Sequence, residues 1–265
     1  MAYDGYRLLK IEVTEHIARV TFDLPERHNR YTIHTHTELA RIVGELALDP
    51  DVHSILVTAN GKTFCAGADD GVLAAVNENK ADLRRALDEA RTQVHGLVDI
   101  DKPIVIALTG TAMGAGLALV LLADIIIAER HVRFTDGHVL AAMPAGDGGA
   151  LAWPASVGII RAKRYLLTGD PISAEEAERI GLITEVVDTG AAKARAEVYA
   201  KRFADGPQRA IRFTKRSLNQ WLKARLDSFD LSLAYEEATF ESGDVARAVR
   251  EIAEHGRTAI APDQR

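Results

Sequence analysis

Cysteine is almost absent: Cys65 stands alone among 265 residues, so no disulfide can form within the chain. That usage fits a reducing compartment. Basic residues are outnumbered, 32 Lys and Arg against 38 Asp and Glu, for a net charge of −6. No basic stripe is available to follow a phosphate backbone, which argues against a nucleic-acid partner. Long apolar runs are also missing. The most apolar stretch, Leu117 to Ala128, is broken by Asp124 and is too short for a bilayer, which needs about 20 residues. The first residues, Met1 to Tyr6, lack the basic-then-apolar order of a secretory signal. A cytoplasmic protein without a membrane partner is expected. No Cys/His cluster and no His-Glu-x-x-His sequence occurs, and His34 and His36, two apart on a helix, point to different sides. No metal is expected, and low-complexity segments and short repeats are lacking too.

A hydrophobic content of 47% with 26% charged residues permits a sizeable core. Through residues 1–190, short β-branched runs at Ile17–Phe22, Ser54–Thr58, Pro103–Leu108 and Ile125–Ala128 read as strands. Between them, Thr35–Leu48 and Ala81–Val98 carry apolar residues at helical spacing. The alternation predicts an α/β core. Residues 191–265 read differently, as four helices (Ala191–Ala204, Gln208–Trp221, Leu226–Ser242, Asp244–His255) broken at Gly206-Pro207 and Gly243. Such a tail must pack on the core or on another subunit to bury its apolar faces.

Two small-residue loops follow predicted strands: Asn60 to Asp69, and Thr109 to Gly116, which runs into an apolar helix at Leu117–Leu122. Small residues let a ligand approach the backbone, and a helix start offers unpaired N–H groups. Two converging N–H groups would hold an enolate or tetrahedral oxyanion, although small residues also serve tight turns alone. The glycine order in the second loop is G-x-x-x-G-x-G, which does not fit a dinucleotide fingerprint. Asp69-Asp70 suits capping of the helix that follows better than catalysis. His138 and Asp147, nine residues apart across Met143-Pro144-Ala145-Gly146, form the candidate acid–base pair: a carboxylate can fix an imidazole's tautomer while the other ring nitrogen activates water.

Several stretches together resemble the enoyl-CoA hydratase/isomerase (crotonase) superfamily. They are Pro25 to Asn29, Phe64 to Asp69, Lys102-Pro103, Gly110 to Gly116, Leu167-Thr168-Gly169 and Ile172 to Ala177. The resemblance implies a repeated ββα core at residues 1–190 and a C-terminal helical trimerisation region at residues 191–265, with homotrimers or dimers of trimers. It also implies an oxyanion hole of backbone N–H groups, which fall on Ala68 and Ala115. The family's hydratases carry two catalytic glutamates, and here those places hold Ala118 and His138. The remaining pattern is similar to β-diketone hydrolases of the superfamily, of the 6-oxocamphor hydrolase type. By that likeness His138, Asp147, Glu237 and His36 are catalytic, Tyr31 and Trp153 touch substrate, and Arg27 and Ala66 are candidate contacts for a coenzyme A moiety. The expected reaction is retro-Claisen cleavage of a small-molecule 1,3-dicarbonyl, with no cofactor required. The alternatives are hydratase or isomerase chemistry on an acyl-CoA, supported by Ala66-Gly67-Ala68, and a non-catalytic acyl-CoA-binding protein.

Overall fold

The computed structural model describes residues 3–255, apart from the side chains of Asp70, Ala74, Ala253 and His255. Two sheets meet within one core. The larger has six strands in the order β1 (Leu9–Thr14), β2 (Ile17–Phe22), β3 (Ser54–Ala59), β5 (Ile104–Leu108), β7 (Ile125–Glu129) and β10 (Glu185–Val187). Only the β1–β2 hairpin is antiparallel; the other neighbours are parallel. The smaller sheet runs β4 (Thr63–Cys65), β6 (Thr111–Met113), β8 (Arg133–Thr135), β9 (Ile172–Ser173), with β4, β6 and β8 parallel.

The chain therefore repeats one move three times. A strand of the large sheet is followed by a short strand of the small sheet and then by a helical segment: β3–β4–α2 (Asp70–Glu78), β5–β6–α4 (Ala115–Leu121), and β7–β8 with a 3₁₀ turn at His138–Ala141. β4, β6 and β8 lie side by side, in a register that pairs Cys65 with Ala112 and Met113 with Thr135. The three segments leaving them, at Ala66, Gly114 and Asp136, thus emerge together at one edge. Ligands in parallel sheets are bound there, at the carboxyl ends of strands.

The helices predicted from periodicity are present: α1 at Ile33–Leu48 and α3 at Lys80–Asp99. Thr32 caps α1 in a reciprocal pair with Thr35, and Asp69 caps α2 by accepting from Val72 N at 2.9 Å. The side chain of Asp70, the other half of the predicted capping pair, lies outside the described residues. Also present are α8 (Ala192–Ala204), α9 (Gln208–Lys223), α10 (Leu226–Glu241) and α11 (Asp244–His255). α8 turns Ala192, Ala196, Ala200 and Ala204 onto the large sheet, where they pack with Ile17, Leu56, Val105 and Ile127. Alanine at each turn lets the helix axis approach closely enough for Ser54 Oγ to donate to Ala200 O at 2.9 Å. The tail thus packs on the core.

The three-residue strands, β1 and α5 (Gly149–Val157) were not predicted. Three residues carry no alternation to read, and α5 hides its helical pattern behind Gly148-Gly149 and Pro154. No helix among the described residues is long and apolar enough to cross a membrane.

Candidate active site

A cavity of about 490 Å³ opens at the edge where β4, β6 and β8 end. One wall starts at the Tyr31–Ala68 bridge. Tyr31 donates to Gly67 O (2.9 Å) and accepts from Asp69 N (2.9 Å), so the N–H of Ala68 between them points the opposite way. Gly67, at φ +79°, makes that turn without a Cβ penalty. Beside it, Ala115 is the first residue of α4, where an N–H has no partner within the helix. Both alanines line the cavity. A first side-chain carbon at Gly114 would stand 3.8 Å from His138 Cε1, which puts the imidazole against the start of α4.

His138 is held at both ring nitrogens. Nδ1 faces Asp136 Oδ1 at 2.7 Å and Nε2 faces Asp147 Oδ2 at 3.1 Å. The αL turn at Gly137 (φ +73°) folds Asp136 back onto the ring two residues later. The predicted contact of His138 with Asp147 exists, but the nitrogen expected to meet water is taken by Asp136. A lone pair facing an ionised carboxylate would be repelled, so with both carboxyls ionised each nitrogen carries a proton and the ring is an imidazolium. Burial alone would lower the His138 pKa, but Asp136 first and then Asp147 more than reverse this and raise it well above the ordinary value. Asp147 is likewise opposed by burial, yet the His138 cation keeps its carboxyl below the usual range. Asp136 is enclosed, while about a fifth of the Asp147 side chain is open, so Asp147 is the ionised group facing the cavity.

Glu236, on α10, completes the set. It lines the cavity, is 5% exposed, and its Oε2 has no hydrogen-bond partner. Burial and then the Asp147 charge push its pKa well up, which favours its protonated form beside an ionised neighbour. Glycines make room for these acids: a Cβ at Gly146 would lie 1.8 Å from Glu236 Oε2, and one at Gly149 would lie 2.6 Å from Asp136 Oδ2. The Asp136 carboxylate therefore rests on the first turn of α5, at the positive end of that helix.

The chain belongs to the enoyl-CoA hydratase/isomerase family. Residues 12–259 match that family. Over 208 residues it is 33% identical to (E)-benzylidenesuccinyl-CoA hydratase of Thauera aromatica, covering 78% of this chain and 80% of the relative. It is 28% identical over 246 residues to 1,2-epoxyphenylacetyl-CoA isomerase of Escherichia coli, covering 89% and 92%. A crystal structure of an enoyl-CoA hydratase/isomerase from Mycobacterium paratuberculosis superposes with a TM-score of 0.90 at 32% identity, covering 94% of this chain and all of that one.

Against the family background, the sequence-predicted positions fall into two groups. His138, Asp147, His36, Tyr31, Ala66, Ala68 and Ala115 all line the cavity. His36 presents Nδ1 to Glu89 Oε2 at 2.8 Å, and the Tyr31 ring meets it edge-on at 6.2 Å. The Tyr31 hydroxyl is buried beside Cys65 and finds no oxygen or nitrogen partner. Two expectations are corrected. Glu237 is only half-buried and off the cavity; its neighbour Glu236 takes the place. Trp153 is fully buried against the Tyr165 ring, 5.2 Å between centroids, and cannot touch a ligand in the cavity. Arg27, half-exposed outside the cavity lining, pairs its guanidinium with Asp69 at 2.7 Å, while Arg30 lines the cavity. Asp136 was not predicted; the Asp-Gly-His spacing, a carboxylate returned to a ring across one αL glycine, is the signal that could have found it. No group of His, Cys, Asp and Glu among the described residues could hold a metal ion.

Proposed function

We propose that this protein adds water across the double bond of an enoyl-CoA thioester, passing through an enolate. The observation that carries the reading is the division of labour between Asp147, ionised by the His138 imidazolium, and Glu236, kept neutral in the same cavity. Two carboxyl groups pushed to opposite protonation states are what an acid–base pair requires. The family's usual glutamate places hold Ala118 and His138, so the pair is supplied from different elements, the Gly146-Asp147-Gly148 loop and α10.

The thioester oxygen accepts the N–H groups of Ala68 and Ala115, which stabilise it as charge develops. Asp147 takes a proton from water, and the hydroxide adds to the β-carbon. The π electrons move to the thioester oxygen as an enolate, which collapses and takes the Glu236 proton at the α-carbon. The proton on Asp147 then returns to Glu236. His138 holds Asp147 and never leaves its cationic form; Asp136 holds His138. The relatives named above act on CoA thioesters by name, which supports this substrate class.

The expectation of a β-diketone hydrolase is set aside in favour of this reading. It needed a neutral His138 with one nitrogen open to water, whereas both nitrogens face carboxylates. The trimer implied by the family resemblance remains a proposal; exposed Phe213 and Trp221 on α9, with Leu231 and Tyr235 on α10, offer apolar surface for it. The test is to follow loss of the conjugated-enoyl absorbance of crotonyl-CoA beside cleavage of a cyclic β-diketone. Turnover of the thioester is expected. Cleavage of the diketone with every enoyl thioester inert overturns the proposal.

A further inference from the structure

The catalytic groups account for only part of the cavity lining. A second, apolar part comes from α2, α3, α10 and α11, which pack on one another. Val76 of α2, Leu83, Ala86 and Leu87 of α3, Phe240 of α10 and Ile252 of α11 line it. Leu83, Ala86 and Leu87 follow the i, i+3, i+4 spacing, so α3 presents one continuous apolar strip there. None of these six side chains bears a hydrogen-bonding group. The strip shares the cavity with Asp147 and Glu236, so one compartment carries both acidic and purely apolar lining.

Volume sharpens the point. The acyl part of crotonyl-CoA has about five heavy atoms; at roughly 30 Å³ each, the share a water molecule takes, it fills on the order of 150 Å³. The cavity offers about 490 Å³. An apolar wall facing vacant space forgoes dispersion contacts on that side, and an apolar ligand body restores them. Water against those six side chains would find no polar partner on them.

We propose that the natural substrate is a thioester whose acyl group is a hydrocarbon body well beyond four carbons, lodged against the α2–α3–α10–α11 wall. The inference rests on the enoyl-thioester reading for its substrate class, but its test does not depend on turnover. Affinities of saturated acyl-CoA thioesters of four, six, eight and ten carbons are measured by titration calorimetry on the intact protein. Each methylene buried against such a wall tightens binding by about fourfold. The dissociation constant is expected to fall by that step up to at least eight carbons.

Ala86→Phe projects a ring into the cavity beside Leu83 and Leu87. It is expected to cut the eight-carbon to four-carbon affinity ratio at least tenfold, with an unchanged far-UV spectrum as the check on folding. Flat or weakening affinity with length overturns the proposal. So does an Ala86→Phe protein that folds and keeps the native ratio. If affinity climbs with length while no enoyl-CoA is hydrated, the hydrocarbon pocket stands and the catalytic reading fails, so the two are told apart.

Discussion

Replacing Asp147 by Asn keeps the shape of the side chain and removes its charge. In the native site the His138 imidazolium sits between Asp136 at 2.7 Å and Asp147 at 3.1 Å. The variant keeps the shorter contact, so the ring stays in place, while the group that must accept a proton from water can no longer do so. Loss of general-base assistance costs about 10²–10⁴ in kcat, or roughly 3–5 kcal/mol at 1.36 kcal/mol per decade. KM changes little, because Asn still fills the same corner. A hydrogen bond to a charged group contributes about 1.5–3 kcal/mol, so Tm falls by several degrees in a chain of this size. Initial rates of enoyl-CoA hydration at saturating and limiting substrate, with a thermal melt, measure all three. A kcat within tenfold of native, or a change confined to KM, refutes Asp147 as the base.

The proposed mechanism needs Asp147 ionised and Glu236 protonated, so kcat/KM should fall on the acid side below the usual carboxylate range and on the alkaline side well above it. Glu236→Gln removes the transferable proton and should abolish most of the rate together with the alkaline limb, whereas Glu237→Gln leaves both; a native profile for Glu236→Gln would exclude it as the acid. Stability has its own pH dependence. Glu236 and His138 have raised folded pKa values, so each contributes stability that is complete below its unfolded value, about 4.3 and 6.5, and is lost as pH rises through the folded one. Asp147, depressed, contributes above about 3.9 and loses it as pH falls through its folded value. Melts across pH should therefore decline on the alkaline side, and less so in Glu236→Gln. Asp136→Asn should lower kcat and move the acid limb upward, because a less cationic His138 no longer holds Asp147 ionised; an unmoved limb would reduce Asp136 to a packing role. Gly146→Ala should cost at least 10² in kcat, since its Cβ would fall 1.8 Å from Glu236 Oε2, and near-native rates would show that the acid is placed differently.

Much of the architecture was legible because it rests on periodic signals. Ile17–Phe22 was delimited to the residue, and α1, α3 and the four C-terminal helices to within about three residues at either end, since each is long enough for its apolar spacing to exceed chance. The two small-residue loops that line the cavity were legible as well, because glycine and alanine in those numbers serve backbone approach.

Glu236 shows where that kind of reading stops. At about 100° per residue and measured from Phe229, Glu236 falls near −20° and Phe240 near +20°, within the buried stripe of α10, while Glu237 lies near 80°. Both glutamates occupy plausible heptad places, and only the facing elements decide which one enters the cavity. Trp153 failed for the same reason: a large aromatic near a catalytic loop can face the ligand or the core, and α5 turns it toward Tyr165.

The chain's own order of residues determined the α/β repeats, the family, the small-residue turns that line the cavity and the nearness of His138 to Asp147, because these depend on local spacing or on nearby segments. Tertiary structure alone decided the charges. Whether an imidazole is a base or a fixed cation depends on what faces each nitrogen, and whether a carboxyl is ionised depends on its burial and its neighbours' charge. Those neighbours come from the segment leaving β8, the Gly146 loop and α10, up to about a hundred residues apart in sequence. Interaction across that separation exists only once the chain has packed.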